Sequence, residues 1–283
     1  MPASKEANTV TSLERAGRPA VWAEPPAVIR FILDSWTIAE GEMRKLRHDP
    51  SELVTRAVQP LLWLLVFGPV IANARAIPTG NLPYMDFLAP GVLAQSALFS
   101  AIFFGIAIIW ERDLGVLHKY LVSPASRGAL VTGKALAGGL RSLVQAAMVY
   151  VFALVIGVHL RLDPLSLIGV GLVVVIGSAA FATFSLVIAC LVRTRERFMG
   201  IGQILTMPLF FASSAIYPIS IMPDWLKVVA HLNPLTYQVD ALRGLMIQGA
   251  VGGFPLALDF SVLIASTVIL IAIAARLYPR LAQ

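Results

Sequence analysis

Phe87-Leu-Ala-Pro-Gly-Val-Leu-Ala-Gln-Ser-Ala-Leu-Phe-Ser-Ala-Ile-Phe-Phe-Gly-Ile-Ala-Ile-Ile-Trp110 contains no Asp, Glu, Lys or Arg, and Glu111-Arg112-Asp113 follows it at once. A helix needs roughly 17 to 25 mostly apolar residues to cross the hydrocarbon, because every backbone polar group must be bonded internally there. This stretch has that length, and similar charge-poor windows place spans near 57–74, 87–110, 140–160, 165–192, 198–222 and 256–278. The sixth reaches spanning length only if Asp259 sits at the headgroups. Of the 283 residues, 58% are hydrophobic and 13% charged, and the mean hydropathy is +0.79. Those values exclude a soluble domain of this size. The expected fold class is all-α, a polytopic membrane protein with about six transmembrane helices.

The sides follow from the cations. With the N-terminus inside, 17 of the 22 Lys and Arg residues fall on inner segments and four outside, with Arg141 in the first turn of span three, snorkelling inward. Both termini are therefore expected in the cytoplasm. The formal charge of +6 and the pI of about 9.8 then need no nucleic-acid partner. Residues 1–25 are polar, carry no signal peptide, and are expected to form a disordered cytoplasmic tail. Over 26–50, Val28, Phe31, Ile32, Trp36, Ala39, Met43 and Leu46 recur at helical spacing, apart from Arg30, Asp34, Arg44 and Lys45. The pattern suits an amphipathic helix in the inner headgroup region, anchored by Trp36, or equally a helix packed on a partner. Residues 51–283 make the six-span domain, with short outer or re-entrant helices before the last span.

Between spans two and three, Glu111 to Gly139 is the only inner loop long enough to fold. Leu114, Leu117 and Leu121 recur among Asp113, His118 and Lys119, and Ser123-Pro124 stops the turn, so a short amphipathic helix is expected. Span five is interrupted by Pro208, Ser213-Ser214, Pro218 and Pro223, and such a break needs protein or a water-filled cavity to satisfy it.

No catalytic site emerges. Gly128 to Ala135 carries the Gly-x4-Gly-Lys frame of a phosphate-binding loop, but Ala135 stands where a hydroxyl would hold magnesium and no strand precedes it, so a helix start at the membrane surface is expected instead. His48, His118, His159 and His231 lack metal-ligand spacing, and Cys190 is a lone packing residue. The spans hold no chain of acids or histidines to couple an ion gradient. Uphill transport would draw its energy from a partner.

Three segments carry a family resemblance. The loop Trp110-Glu-Arg-Asp-Leu-Gly-Val-Leu-His-Lys-Tyr-Leu-Val-Ser-Pro124, continuing to Arg127 and Gly133-Lys134, resembles the signature loop of type-2 ABC exporter permeases. Asn233-Pro-Leu-Thr-Tyr-Gln-Val-Asp-Ala-Leu-Arg243 is similar to the outer motif before their last span, and Arg47-His-Asp-Pro50 with Gln59-Pro-Leu-Leu-Trp63 to the start of their first. The branch it looks like is that of the daunorubicin-resistance and nodulation-protein permeases. The resemblance implies a non-catalytic permease in the bacterial cytoplasmic (inner) membrane, exporting a hydrophobic or amphipathic substrate such as a drug, antibiotic or lipid. It implies two ATP-binding subunits, which hold the ATP and magnesium, and a second permease, either another copy or a paralogue; this chain itself binds no cofactor and no metal. Asp113, Leu114, Gly115, Leu117, His118, Leu121, Ser123, Pro124 and Arg127 would form the ATPase-coupling element, with Glu111 and Arg112 in the gate. Asn233, Pro234, Tyr237, Asp240 and Arg243 make up the outer motif, the last two either a surface pair or a brace for an outer gate. Phe99, Phe103, Phe104, Phe210, Phe211 and Tyr217 are candidates for the substrate path. Rival readings are export of a polysaccharide or lipid-linked glycan and, from another class, an ion-coupled carrier.

Overall fold

Helical spacing after Pro26 produces helix α1 (Ala27–Leu46), the first element of a computed structural model that describes residues 26–46, 58–80, 82–115, 125–192 and 194–279. The tail over 1–25 and the motif at Arg47 to Pro50 lie outside the described residues. Helix α2 (Val58–Ala74) is apolar but short. Pro69 has no N–H to give to Leu65, and the turn Trp63–Phe67 widens so that the Gly68 N–H reaches the Trp63 carbonyl instead. Then follow α3 (Tyr84–Asp113), α4 (Arg127–Val155), α5 (Pro164–Leu191), α6 (Arg195–Phe211), a 3₁₀ turn (Ile219–Ile221), α7 (Asp224–Leu232), α8 (Pro234–Met246) and α9 (Leu256–Leu277). The protein is an all-α polytopic membrane protein. Four helices, α3, α4, α5 and α9, are long and apolar enough to cross a bilayer, and α2 is a shorter apolar one; the expected fifth span over 198–222 is not one helix, since α6 ends at Phe211. No strand occurs among the described residues, and a lone antiparallel bridge pairs Leu160 with Ile247.

Polar side chains set several helix starts. Ser126, Asp163, Thr194 and Asn233 accept from the amides of Ala129, Ser166, Arg197 and Leu235, filling donors that a helix N-terminus leaves open. The bond from the Ser166 amide holds the Asp163 carboxyl below its ordinary range.

Helices α3 and α5 form the buried centre, with α4 against both, α9 along α5, and α8 wedged among α3, α5 and α9. Small residues permit the closest contacts. Ser185 Oγ on α5 donates to the Ile102 carbonyl at 2.6 Å and accepts from the Gly105 amide at 3.1 Å, and a methyl at Gly105 would strike that hydroxyl and the Phe198 ring. On α3, a methyl at Gly91 would run into the Ala215 backbone.

The third span differs from the expected window. Helix α4 starts at Arg127 rather than near 140 and ends at Val155, because the Ser126 cap and a buried partner for Lys134 let the helix begin among charges. The inner loop is correspondingly shorter, and the Gly128 to Ala135 frame is helix. Helix α1 packs on α4 of the same chain through the buried Ser35, Ala39 and Glu42, while Val28, Ile32 and Trp36 stay exposed. The apolar stripe is therefore split, with Ala39 against protein and Val28, Ile32 and Trp36 left outside the contact. Asp259, expected at the headgroups, is buried in the first turn of α9.

Replacing Gly91 with alanine should destabilise the detergent-solubilised protein by about 1–3 kcal/mol, the usual range for overpacking. Gly200→Ala in α6, where an added methyl meets nothing within 4 Å, should instead be neutral or stabilising by up to about 1 kcal/mol. Thermal melts of the two variants side by side check the contrast.

Candidate functional site

Arg127, Lys134 and Arg141 are seven residues apart, two helical turns each time, so α4 carries three cations along one side. Lys134 is only 1% exposed. Its Nζ donates to Glu111 Oε2 on α3 at 2.5 Å and to Glu42 Oε1 on α1 at 3.3 Å. Gly133 makes this possible: a methyl there would lie 2.6 Å from the Ser35 carbonyl, so any larger residue would hold α1 away. One ammonium thus binds three helices.

The neighbouring residues tie the same end of α3 to α6. Asp113 accepts from Arg195 at 2.8 and 3.0 Å and from Arg112 at 3.0 and 3.2 Å. The Arg195 guanidinium lies 3.6 Å from the Trp110 ring, and Arg112 reaches the Val192 carbonyl at 3.4 Å. These groups are a third exposed or thereabouts, so their energetic worth is small and their effect is orientation. Beyond Asp113 the helix stops: Leu114 is exposed, and Gly115 takes the left-handed conformation with φ of 71° that closes a helix. Leu114 therefore stands outside any helix containing Leu117. Leu117, His118, Leu121, Ser123 and Pro124 lie outside the described residues, and Arg127 is the first residue of α4.

At the opposite end of α3 the outer motif forms a second cluster. Asn233 caps α8, which begins at Pro234, and its Nδ2 donates to the Leu209 carbonyl at 2.6 Å. Tyr237 donates to the His231 carbonyl at 2.8 Å. Asp240 accepts from the Gly253 and Phe254 amides at 2.8 and 2.9 Å. Arg243 Nη2 donates to the Ser214 carbonyl at 2.7 Å and to that of Phe87 at 3.4 Å, with its guanidinium carbon 3.9 Å from the Phe87 ring. Asp240 and Arg243 are 5% and 6% exposed. The reading of these two as a surface pair is therefore corrected: they are buried, each is spent on backbone, and no ion pair joins them.

The six aromatic candidates do not share one lumen. Phe104 and Phe210 are buried in the core, where the Phe104 ring receives Lys134 Nζ at 6.0 Å and Arg141 at 5.8 Å. Phe211 is exposed, and Tyr217 donates to the Phe211 carbonyl at 2.5 Å. Phe99 and Phe103 do converge, lining a cleft of about 230 Å³ between α2 and α3 with Gln59, Gln95, Ser96 and Ser100.

The burial of four polar residues is not evident from the sequence. Lys134 falls in the helix start expected over Gly128 to Ala135, and its spacing from Arg127 and Arg141 signals a helical face, but not its burial. Gln95, 3% exposed with Oε1 unbonded, is the polar break in an otherwise apolar run. The buried Asp86, which meets the His159 ring at 2.9 Å, and the buried Asp259 carry no local signal, since each borders an apolar window where an exposed charge is ordinary.

Apolar helices packed around two internal polar clusters define an integral membrane protein. The chain belongs to the ABC-2 type transporter family, whose match covers residues 34–247. It is 30% identical over 220 residues to the putative transport permease ycf38 of Cyanophora paradoxa, covering 75% of this chain and 74% of that protein. It is 25% identical over 255 residues to the daunorubicin resistance ABC transporter permease protein DrrB1 of Streptomyces coeruleorubidus, covering 90% and 89%. Nodulation protein J of Sinorhizobium fredii is 26% identical over 178 residues, covering 62% and 67%. The chain is thus a transmembrane permease of an ABC transporter, and membership of the family implies pairing with an ATP-binding subunit.

Removing the buried ammonium leaves Glu42 and Glu111 facing each other without it. Lys134→Met should cost about 3–5 kcal/mol, read as a lower melting temperature and detachment of α1, detectable as faster proteolysis before Ala27. The triple variant Lys134→Met, Glu42→Leu, Glu111→Leu should recover most of the loss, because no charge then remains to be desolvated.

Proposed function

We propose that this chain is the permease half of an exporter that moves a hydrophobic or amphipathic substrate, such as a drug, antibiotic or lipid, outward across the bacterial cytoplasmic membrane. Two ATP-binding subunits hold the ATP and magnesium and supply the energy, and a second permease, another copy or a paralogue, completes the path. The N- and C-termini face the cytoplasm, a placement supported by the excess of Lys and Arg on the inner segments. The observation that carries the reading is the anchoring of the base of α3. Glu111 is fixed through Lys134 to α4 and α1, and Asp113 through Arg195 to α6, immediately before the segment that bears Leu117 and Leu121. A push on that segment is delivered to four helices at once. Glu111 and Arg112 then belong to the part that moves when the ATPases close, and the chain itself catalyses nothing.

The cleft at Phe99 and Phe103 supports an amphipathic cargo, since it sets two rings beside Gln59, Gln95, Ser96 and Ser100. A glycan exporter would want a continuous aromatic lining, and Phe104 and Phe210 are turned into the core instead.

Leu117→Asp with Leu121→Asp should weaken association with the ATP-binding subunit by roughly 30-fold, the value of a lost interface anchor worth about 2 kcal/mol, and should abolish substrate-stimulated hydrolysis. Co-purification and ATPase assays in proteoliposomes measure both. Unchanged association and stimulation would remove the coupling role from this segment.

A further inference from the structure

A second cleft, of about 400 Å³, opens at the end of the bundle opposite Lys134, with Phe87, Ser220, His231, Asp240, Arg243 and Phe254 in its wall. Its volume lies within the roughly 300–1,000 Å³ of small-molecule sites. What sets it apart is the state of its guanidinium. Arg243 is 94% removed from solvent, being 6% exposed, yet no carboxylate oxygen among the described residues hydrogen-bonds it. Nη2 is spent on the Ser214 and Phe87 carbonyls. Nε is covered and has no acceptor. Nη1 makes no hydrogen bond and is not among the covered atoms, so it is the donor that the cleft can reach. Asp240, one turn away, acts on the guanidinium through space but makes no hydrogen bond to it, since its two oxygens accept from the Gly253 and Phe254 amides. A buried guanidinium with an unspent donor is completed by an acceptor that arrives through the cleft.

We infer that this cleft is a binding site for an amphiphile bearing an anionic acceptor, a carboxylate or phosphate, which Arg243 Nη1 receives while an apolar or aromatic body lies between Phe87 and Phe254. The Phe254 ring is fixed for this by Tyr237 at 5.2 Å and by His231 edge-on at 5.7 Å. The anion belongs either to a lipid headgroup or to a small exported molecule. A role in releasing cargo rests on the export reading above, whereas the site's existence does not, and binding is measured on this chain without ATPase or nucleotide.

The test is calorimetric titration of the full-length chain in a nonionic maltoside detergent. The probes are phenyl phosphate and dihexanoyl phosphatidylglycerol, with phenyl glucoside as a neutral control and benzylammonium as a cationic one. Saturable binding of at least one anionic probe, and of neither control, is expected. Phenyl phosphate alone would indicate a soluble cargo, and phosphatidylglycerol alone a lipid headgroup; either supports the site. Arg243→Gln should weaken the anion by about tenfold or more, the worth of a charge-assisted hydrogen bond. Since Arg243 also holds backbone, Ser220→Trp provides a second variant: Ser220 is exposed on the cleft wall, so the substitution should block binding with the melting temperature unchanged. Absence of binding by both anions, equal binding of a control, or wild-type anion affinity in the well-folded Ser220→Trp protein would overturn the proposal.

Discussion

Backbone carbonyls at membrane depth have no water to turn to, and the half of the molecule around span five is arranged to answer that constraint. Helix α6 ends at Phe211, and the chain then turns while still buried from Ala212 to Ile216. Leu209, Phe210, Phe211, Ser214 and Ile216 each have a carbonyl engaged by a side chain, from Asn233, Ser213, Tyr217, Arg243 and Tyr84 respectively. Two of those donors sit on or cap α8, which must lie inside the bundle to deliver them. Gly91 is the matching concession on α3, where any side chain would displace the turn. The outer motif is therefore the group of residues that makes a broken helix tolerable.

The opposite end solves a different problem by different means. Three charged side chains are removed from water at Lys134, and desolvating them costs several kcal/mol per ion before attraction and hydrogen bonding recover it. Such a cluster adds little net stability compared with apolar packing. What it does supply is a preferred arrangement: α1 cannot shift along α4 without breaking the bond from Lys134 to Glu42. The close approach allowed by Gly133 holds Ser35, Ile38, Ala39 and Glu42 of α1 towards α4, and the apolar Val28, Ile32 and Trp36 are left to the surroundings, the arrangement of a helix lying in a membrane interface.

What could be read from the residues divides along the same line. Apolar windows showed where helices pass, because the bilayer rule depends on composition alone, and α5 and α9 fall close to their expected limits. The start of α4 was hidden because a window bounded by charges cannot anticipate that Lys134 will find two carboxylates 23 and 92 residues away. For the same reason the residues alone leave Asp240 and Arg243 open between an exposed i, i+3 pair and a brace for an outer gate. Their partners, Gly253, Phe254, Ser214 and Phe87, are backbone groups, and backbone carries no sequence signal. Aromatic residues misled for a related reason: a ring in a span looks the same whether it packs in the core, as Phe104 and Phe210 do, or lines a cleft, as Phe99 and Phe103 do.

Helix α3 joins the two ends, and its construction decides how they communicate. Its 30 residues extend about 45 Å at 1.5 Å per residue. From Gly91 to Ile109 it is mostly buried and keyed to α5 through Ser185 and Gly105. Close-packed contacts of this kind do not deform continuously, so this part moves with α5 as one body or not at all. Pro90 interrupts the regularity just above it, because proline gives no N–H to the Asp86 carbonyl and crowds it. Phe87, which carries the Arg243 guanidinium on its ring, lies on the far side of that proline. The Gly91 contact with Ala215 and the bond from Arg243 to the Ser214 carbonyl fall on adjacent residues of one turn, so the outer end of α3 meets the Arg243 cluster on both sides of Pro90.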